Sequence, residues 1–526
     1  MRPDISHHAL VYRILSLFIA AAATACTVQT ARPPGPVLTP MLENPSPAPS
    51  ATSAVLPASP TPTSSPLPSL PPAQVPPAGQ APAGFYRLEL TLATTSDWTS
   101  LDFNDPQAVL AERLVATSGS PKIARLTPGE IYLSQPQTAA KAGNSASLTA
   151  ELAIAAPLTA DRLSLTLKRG GIPATTLTVS AQIRGASVSL LRLVHAQRIP
   201  GDPGSNTMPV SLDLAPLAGA APAPANPAYP AVPKMVWAFY YPWYHTSDWS
   251  SPELKDHPLV PYQSFDPQAI ARQIGQAKSA GIDGFISSWW GPGSYTDQNL
   301  KPLLAAAQLQ QFKVMLYFET LQSGGPLPGD EITRWLAYAI PAVRDAPAYM
   351  KIGGKPVIAF YNSGLVPLAE WKDIFARLHA QGLDSYNLAM GLDAASLDVF
   401  DGMHTYAVIS YPDLAGAYSQ ASRAAHYYPL LAPGSTPKLW AATIQSGYDE
   451  RLIPGRRGLV QARDNGDYYR STFQAALGSR PDWILITSWN EWWENTYIEP
   501  GKLYGDLYLK LTQEFASQWK NGPPAP

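Results

Sequence analysis

Cysteine is almost absent from this sequence, and so is any concentration of charge. The only cysteine among 526 residues is Cys26, so no disulfide can form within the chain. Charged residues make up 14% of the chain and the net charge is −2, with no long run of lysine or arginine. Because phosphate binding needs a basic surface, the composition predicts no nucleic-acid partner. Stability must come from packing of the hydrophobic residues.

The hydrophobic run near the amino terminus is too short to cross a bilayer as a helix. It covers about a dozen residues, 14–25, and follows Arg2 and Arg13. This pattern is typical of a signal peptide, so we expect residues 1–26 to direct export. Small residues directly before Cys26 resemble a bacterial lipoprotein signal, in which the cysteine is lipidated; an ordinary cleaved signal is the alternative. We predict a cell-surface lipoprotein or a secreted protein, with membrane contact only through a lipid anchor at Cys26.

Proline is concentrated in two stretches that divide the chain. Residues 27–84 are rich in Pro, Ser, Thr and Ala, which predicts an extended linker without a core, and residues 218–233 form a second Ala/Pro linker. Between them, residues 85–217 alternate apolar and polar positions, which predicts an antiparallel β-sandwich. Its clearest strands are 86–92, 163–167, 177–183 and 188–190. The rings of Trp98 or Phe103 could bind sugar; a spacer domain with both rings in its core is the alternative.

The region 234–522 has a different pattern, in which apolar β-rich runs alternate with helical stretches. This alternation indicates βα units and a parallel sheet. Asp266 and Pro267 form a helix start after the first strand. Eight candidate strands fit an α/β fold of the (β/α)8 barrel type. They are 236–241, 284–289, 313–319, 356–361, 387–392, 402–408, 438–444 and 483–488. A doubly wound open sheet is the alternative, but residues 240–244 (YYPWY) stand where its Gly-rich phosphate loop would follow the first strand.

Aromatic and polar residues cluster where the predicted strands end. In a (β/α)8 barrel the catalytic groups lie at the carboxyl ends of the strands. Aromatic rings match the apolar faces of pyranose sugars, while carboxylates and amides match their hydroxyls. One aromatic residue would more often belong to the core, but a whole rim of them indicates a sugar-binding site. The candidate substrate-binding residues are Tyr241, Trp243, Trp289, Trp290, Glu319, Tyr361, His404, Tyr406, Tyr448, Asn490 and Trp493.

Two glutamates lie just beyond the last predicted strand. Glu491 and Glu494 are three residues apart, so a helical turn would place their carboxylates on one side, about 5 Å apart. That spacing suits glycoside hydrolysis, in which one carboxyl is protonated and the other is ionised. A solvated helix face is the ordinary explanation of such a pair. Because Trp489, Trp492 and Trp493 flank it, we predict that both glutamates are catalytic.

Four segments of the predicted barrel form a specific set when they are taken jointly. They are 238–244 (AFYYPWY), 281–293 (GIDGFISSWWGPG), 447–449 (GYD) and 486–500, which is followed by Tyr504 and Gly505. This set resembles glycoside hydrolase family 99, the endo-α-mannosidase and endo-α-mannanase family, with the family 71 α-1,3-glucanases as more distant relatives. The resemblance spans nearly the whole barrel and none of the chain before it.

The resemblance implies roles for individual residues. Glu491 matches the carboxylate that deprotonates the 2-hydroxyl of the sugar, which gives a 1,2-anhydro intermediate rather than a glycosyl-enzyme. Glu494 matches the general acid, which later acts as a base toward water. Contacts to the cleaved sugar or its neighbour fall on Trp289, Glu319, Tyr361 and Tyr406.

One residue of the motif departs from the family pattern. The family usually has Glu-Trp-His-Glu, whereas Trp493 occupies the third position here. A histidine can donate a hydrogen bond from either nitrogen and can change charge near neutrality, while an indole only donates and adds bulk. The choice of substrate is therefore open at this position.

The sequence predicts no metal and no cofactor. His245, His257 and His404 lie on different predicted loops, and no cluster of His, Asp and Glu has the spacing of metal ligands. We expect a monomer whose partner is a polysaccharide or oligosaccharide substrate.

Three functions are compatible with these patterns. The first is an exported, endo-acting retaining glycosidase that cleaves α-mannosidic linkages. The second keeps the two carboxylates but acts on an α-glucan, as Trp493 permits. The third is a glycan-binding protein of the cell envelope without catalytic activity, which the presence of both Glu491 and Glu494 disfavours.

Overall fold

The computed structural model describes residues 84–522, apart from residues 120, 128, 160–162, 170–176, 185–189, 192–206, 211–221 and 323–324. The expected signal peptide, the expected lipidation site Cys26 and the tether up to residue 83 lie outside the described residues. The same holds for residues 188–189 of the last expected sandwich strand and for 218–221 of the second linker. In the described part of the chain, no helix combines the length and the apolar character needed to span a membrane.

Two five-stranded antiparallel sheets form the amino-terminal region. Their strands are β1 (Phe85–Thr94), β2 (Trp98–Phe103), β3 (Val109–Ser118), β4 (Ile123–Thr127), β5 (Glu130–Ser134), β6 (Ala146–Ala155), β7 (Leu165–Arg169), β8 (Leu177–Arg184), β9 (Leu190–Leu191) and β10 (Thr207–Val210). The strand orders are β3-β6-β1-β8-β9 and β10-β7-β2-β5-β4. Leu88, Leu90 and Leu92 are fully buried while the residues between them are partly exposed, because successive side chains of a strand point to opposite faces.

The two rings considered for sugar binding in this region have different surroundings. Phe103 is 4% exposed and belongs to the core, so its ring has no open face for a sugar. Trp98 is partly exposed and stacks on Tyr132 with ring centroids 6.3 Å apart. The spacer interpretation therefore fits Phe103.

Eight parallel strands form the carboxyl-terminal region. They are β11 (Met235–Tyr240), β12 (Gly284–Trp289), β13 (Lys313–Glu319), β14 (Lys355–Tyr361), β15 (Tyr386–Met390), β16 (Gly402–His404), β17 (Leu439–Gln445) and β18 (Trp483–Thr487). Each strand pairs with the strands before and after it in this order. The first strand, β11, also pairs with the last, β18, so the sheet closes into a barrel. The predicted (β/α)8 barrel is confirmed. The sixth strand ends at His404, earlier than predicted; further along, the N–H of Val408 donates to the side chain rather than the backbone of Gln445, the last residue of β17.

Helices cover the outside of the barrel. The helices are α1 (Gln137–Lys141) in the amino-terminal region and then α2 (Pro267–Ser279), α3 (Tyr295–Leu309), α4 (Gly329–Arg344), α5 (Leu368–His379), α6 (Leu414–His426), α7 (Tyr428–Leu431), α8 (Asp467–Gly478) and α9 (Leu507–Asn521). The predicted start of α2 is confirmed, since the side chain of Asp266 accepts a hydrogen bond from the N–H of Gln268 and Pro267 is the first helical residue. Ile270 and Ile274 face the core.

One barrel helix is replaced by a contact with the amino-terminal sheets. Between β15 and β16 the chain forms only the short 3-10 helix Ala394–Asp398. Asp393 accepts a hydrogen bond from the N–H of Leu126 at 3.0 Å, and Arg113 pairs with Asp398 at 2.9 Å. Apolar contacts join the two regions further through Phe85, Leu110, Ala111, Tyr427 and Leu431. The amino-terminal sheets thus cover a face that a helix would otherwise cover.

A buried carboxyl group lies in this contact. Glu112 is 5% exposed. Burial raises the pKa of Glu112 from 4.5 to about 8; Asp393 adds to the rise, while the N–H of Gly129 and the charge of Arg423 oppose it. Between these two pH values the folded chain holds a proton that the unfolded chain releases. The contribution of Glu112 to the free energy of unfolding is therefore most favourable below pH 4.5, and it is lost as the pH rises toward 8.

We therefore expect Glu112→Gln to stabilise the protein at alkaline pH, because the amide cannot ionise. The melting temperature of the variant should exceed that of the wild type by roughly 2–4 °C at about pH 9 and match it at about pH 5. Glu89→Gln, at a half-buried position of β1, is the control and should change neither value. Equal melting temperatures of wild type and Glu112→Gln at both pH values would contradict the assignment of a buried proton to Glu112.

Candidate active site

The two predicted glutamates lie in the loop that follows β18. The chain turns there without a regular helix: the N–H of Asn495 donates to the carbonyl of Trp492 at 3.2 Å, and that of Thr496 to the carbonyl of Glu491 at 3.2 Å. Glu491 is 2% exposed and Glu494 is 3% exposed. Burial to this degree excludes a solvated helix face.

Glu491 is held by the backbone of its own loop. Its N–H donates to the Oγ of Ser488 at 2.8 Å, and its carboxylate accepts backbone hydrogen bonds from Trp493 and Glu494. Burial raises the pKa of Glu491 well above 4.5, and the nearby charge of Glu494 adds to the rise; Arg456 and the two backbone donors oppose it. A carboxylate with a raised pKa is a stronger base once it is ionised.

Glu494 contacts a different set of groups, on the loops after β16 and β17. The Nη1 of Arg456 lies 2.8 Å from its Oε1. The hydroxyl of Tyr448 lies 3.4 Å from the same oxygen, and the hydroxyl of Tyr406 donates to Oε2 at 3.4 Å. The same Nη1 also contacts Glu450 at 3.0 Å. Glu494 is therefore fixed by an ion pair and two phenols.

Further predicted residues surround the two carboxylates. Tyr241 and Trp243 lie 4.6 Å apart between ring centroids, and Tyr361 and Tyr406 lie 5.9 Å apart. Burial raises the pKa of Tyr241 well above 10, with the charges of Glu491 and then Glu319 adding to it. Burial likewise raises the pKa of Tyr361, followed by the charges of Glu494 and Glu319. Both phenols are neutral donors beside the acid groups.

Glu319 forms a hydrogen-bonded chain with Ser288 and Trp290. The hydroxyl of Ser288 donates to Oε1 of Glu319 at 2.7 Å, and the indole N–H of Trp290 donates to the same hydroxyl at 3.0 Å. Burial raises the pKa of Glu319 to about 8, and the charge of Glu494 adds to it against the opposing hydrogen bond from Ser288. Glu319 is therefore protonated at neutral pH and can donate a hydrogen bond.

Two residues predicted to bind substrate, Trp289 and His404, have other recorded contacts. Trp289 follows Ser288 on β12 and points to the opposite face, since strand side chains alternate. Its indole N–H donates to Asp297 of α3 at 2.8 Å, and its ring packs against Trp335 of α4. This side chain joins the strand to the helix layer, and its contact with substrate stays a prediction.

His404 is likewise a residue of the barrel interior. It is fully buried, with its ring 5.9 Å from that of Phe239 and 5.6 Å from that of Tyr317. Burial lowers the pKa of His404 to about 4, so the ring is neutral at physiological pH. The ring packs inside the barrel, and the expected contact of His404 with substrate stays a prediction.

Asn490 holds the loops after the first and last barrel strands together. Its Oδ1 accepts the N–H of Tyr241 at 2.7 Å, and its Nδ2 donates to the carbonyl of Tyr241 at 3.0 Å and to the hydroxyl of Tyr262 at 3.1 Å. The amide is fully buried and both of its donor hydrogens are used. Asn490 therefore positions Tyr241, and its own contact with substrate stays a prediction.

Arg456, Glu450 and Ser288 were not among the sequence candidates. Arg456 lies 38 residues before Glu494, and an arginine in a loop gives no pattern that points to a distant carboxylate. The predicted residue Trp493 is 7% exposed and lies in the same loop, between Glu491 and Glu494. Among the described residues, no group of three or more His, Cys, Asp or Glu side chains could hold a metal ion.

A comparison with known families finds one match in this region. Residues 252–505, which contain Glu319, Arg456 and both predicted catalytic glutamates, match the model of glycosyl hydrolase family 99. This part of the barrel is thus similar to glycosyl hydrolase family 99. The family resemblance seen in the sequence is confirmed, and the chain is a glycoside hydrolase. The more distant likeness to family 71 stays a prediction.

The individual relatives of the chain are distant. A mouse glycoprotein endo-alpha-1,2-mannosidase-like protein is 25% identical over 392 residues, which cover 61% of this chain and 85% of the relative. A glycoprotein endo-alpha-1,2-mannosidase of Xenopus laevis is 26% identical over 298 residues, covering 50% of this chain and 64% of the relative. The solved endo-alpha-mannosidase of this family from Bacteroides thetaiotaomicron has 24% identity and a TM-score of 0.47, covering 55% of this chain and 99% of its own.

Proposed function

We propose that this chain is an exported enzyme that hydrolyses α-mannosidic linkages within a glycan, with retention at the anomeric carbon. The observation that carries the proposal is the buried pair Glu491 and Glu494, surrounded by phenols at the carboxyl end of a family 99 barrel. The names of the mouse and frog relatives support mannose as the sugar. Endo action is proposed on the same basis.

The first chemical step uses the 2-hydroxyl of the substrate. Glu491, ionised, takes the proton of that hydroxyl, and the freed oxygen attacks the anomeric carbon from the face opposite the leaving group. The bond to the leaving oxygen breaks, and that oxygen takes the proton of Glu494. The products of the step are a 1,2-anhydro sugar, the departing alcohol, a protonated Glu491 and an ionised Glu494.

The second step restores both carboxyl groups. Glu494 takes a proton from water, whose oxygen attacks the anomeric carbon and opens the three-membered ring. The released 2-oxygen takes the proton of Glu491. Two inversions at one carbon give net retention, and no residue is covalently modified.

The surroundings of the carboxyl groups bear on these roles. The pKa of Glu491, raised by burial and by Glu494, makes its ionised form a strong base for an alcohol. Glu319, protonated because burial raises its pKa to about 8, can donate to a sugar hydroxyl. The phenol of Tyr406 lies within 3.4 Å of Glu494 and keeps that carboxylate oriented.

A second candidate function is hydrolysis of an α-glucan by the same carboxylates. The observation that favours it is Trp493, 7% exposed beside both glutamates, where the family pattern has histidine. An indole changes the shape and the hydrogen-bonding capacity of the site at this point.

The purified full chain should be incubated separately with α-mannan and with α-1,3-glucan, and the released reducing ends measured. The account predicts oligosaccharides from α-mannan alone, and none with Glu494→Gln. Release from the glucan alone would favour the second candidate. If the wild type binds glycan but releases no reducing ends from any tested polysaccharide, the result would favour a binding protein.

Export with lipid anchoring at Cys26 is proposed from the amino-terminal pattern alone. We expect the wild-type chain in a bacterial host to fractionate with the membrane, and Cys26→Ala to lose that association, since one cysteine carries the lipid. Equal distribution of both proteins between membrane and soluble fractions would refute the anchor.

A further inference from the structure

We infer that Arg456 and Glu450 are positioning residues that set how readily Glu494 exchanges its proton between the two steps. This inference rests on the proposed function, in which Glu494 is first an acid and then a base. It concerns a charged group outside the motif that led to the glutamates.

Arg456 is shared between two carboxylates. Its Nη1 lies 2.8 Å from Oε1 of Glu494, 3.0 Å from Oε2 of Glu450 and 3.0 Å from the hydroxyl of Tyr448. The side chains of Arg456 and Glu450 are each 2% exposed. An Nη1 nitrogen has two hydrogens for these three partners, so Glu494 and Glu450 compete for one corner of the guanidinium.

Glu450 is held in place without any help from Glu494. Its Oε1 accepts the N–H of Leu459 at 3.1 Å, and its own N–H donates to the carbonyl of Leu459 at 3.2 Å. The hydroxyl of Tyr448 donates to its Oε2 at 2.8 Å. Glu450 therefore remains a partner of Arg456 whichever form Glu494 takes.

This arrangement balances charge in both halves of the reaction. When Glu494 is protonated, Arg456 and Glu450 remain a neutral buried pair, so no uncompensated charge is left inside the protein. When Glu494 is ionised, Arg456 stabilises its anion. Arg456 alone would favour the ionised form of Glu494 and so oppose its action as an acid. The negative charge of Glu450 partly neutralises Arg456 and weakens this effect.

Other groups face Glu494 from the remaining strand ends. They are the carboxyls of Glu491 and Glu319 and the neutral phenols of Tyr241, Tyr317, Tyr361, Tyr406 and Tyr448. None of these carries positive charge. Within the described residues, the ion pair recorded for Glu494 is the one with Arg456, so changes at Arg456 and Glu450 should act directly on Glu494.

The kinetic test compares Arg456→Met with Glu450→Gln in the full-length enzyme. On the alkaline side, the pH at which kcat/KM falls to half should rise by about half to one pH unit in Arg456→Met, because the anion of Glu494 loses its cation. The same half-maximal pH should fall by a similar amount in Glu450→Gln, because Arg456 then pairs with no carboxylate other than Glu494. Arg457→Met, which removes the adjacent exposed arginine, is the matched control and should leave the profile in place.

A second measurement does not depend on turnover. Infrared titration would follow the carboxyl band that disappears in Glu494→Gln, and its midpoint should move in the same two directions. Arg456→Lys, which keeps the charge, should move it less than Arg456→Met. Thermal unfolding establishes that each variant is folded.

The outcomes separate the inference from the proposed function. Shifts of the infrared midpoint in opposite directions, in a protein that releases no sugar, would support charge sharing and reject the glycosidase. Glycosidase activity with no shift, or with shifts of the same sign in Arg456→Met and Glu450→Gln, would overturn the inference.

Discussion

Glu491→Gln and Glu494→Gln should each lower kcat/KM on an α-mannan substrate by about 10²–10⁴-fold. Each change keeps the shape of a buried side chain that is 2% or 3% exposed but removes its ability to exchange a proton. Because both steps of the proposed reaction need both groups, each variant should be impaired in both steps. The melting temperature should stay near that of the wild type, since an amide avoids burying a charge.

Glu319→Gln is the matched control for these two variants. It is equally buried, at 4% exposure, but burial raises its pKa to about 8, so at neutral pH it already acts as a neutral donor. An amide preserves that role, and we expect a loss of less than about tenfold. If Glu319→Gln lost as much activity as Glu491→Gln, or if α-mannan turnover survived both catalytic changes, the assignment of roles would be wrong.

Asn490→Ala should lower both stability and activity. The substitution removes three buried hydrogen bonds and leaves the N–H and the carbonyl of Tyr241 without their partner. Each buried group left unsatisfied costs about 1–3 kcal/mol. Because Tyr241 lies beside both glutamates, displacement of its loop should reduce kcat/KM by roughly tenfold to a hundredfold.

Asn521→Ala provides the comparison for this variant. Asn521 ends α9 and its side chain bonds Ser517 at an exposed site. Its removal should leave the melting temperature and kcat/KM within error of the wild type. An Asn490→Ala protein as stable and active as Asn521→Ala would show that the loop does not depend on this amide.

The sequence predicted the barrel strands because their buried runs are local and continuous. Strands such as β12 and β13 have the bounds that the pattern indicated. The two glutamates could be found for the same reason, since they are close in sequence and flanked by tryptophans. The family resemblance then added roles that remain proposals.

Residues that act through distant contacts could not be found in this way. Arg456 reaches Glu494 across 38 residues, and Ser288 reaches Glu319 across 31. Trp289 and Trp290 are adjacent, and only the direction of β12 decides that Trp290 faces Ser288 and Trp289 faces the helices. Sequence spacing beyond the end of a strand does not specify these directions.

The amino-terminal sheets show a further limit. Their alternation predicted strands, but nothing in it indicated that they would cover the short 3-10 helix Ala394–Asp398 of the barrel. That contact depends on a helix that the barrel sequence omits and on side chains such as Arg113, which pairs with Asp398. A surface arginine gives no sign of its partner.

The most direct test of the proposed mechanism is the anomeric form of the first product. Proton NMR should follow the reducing end released by the wild-type enzyme from α-mannan, before the two anomers equilibrate. Catalysis by Glu491 and Glu494 through the 2-hydroxyl predicts that the α-anomer appears first. Initial formation of the β-anomer would contradict the account, because it would require a single inversion by water.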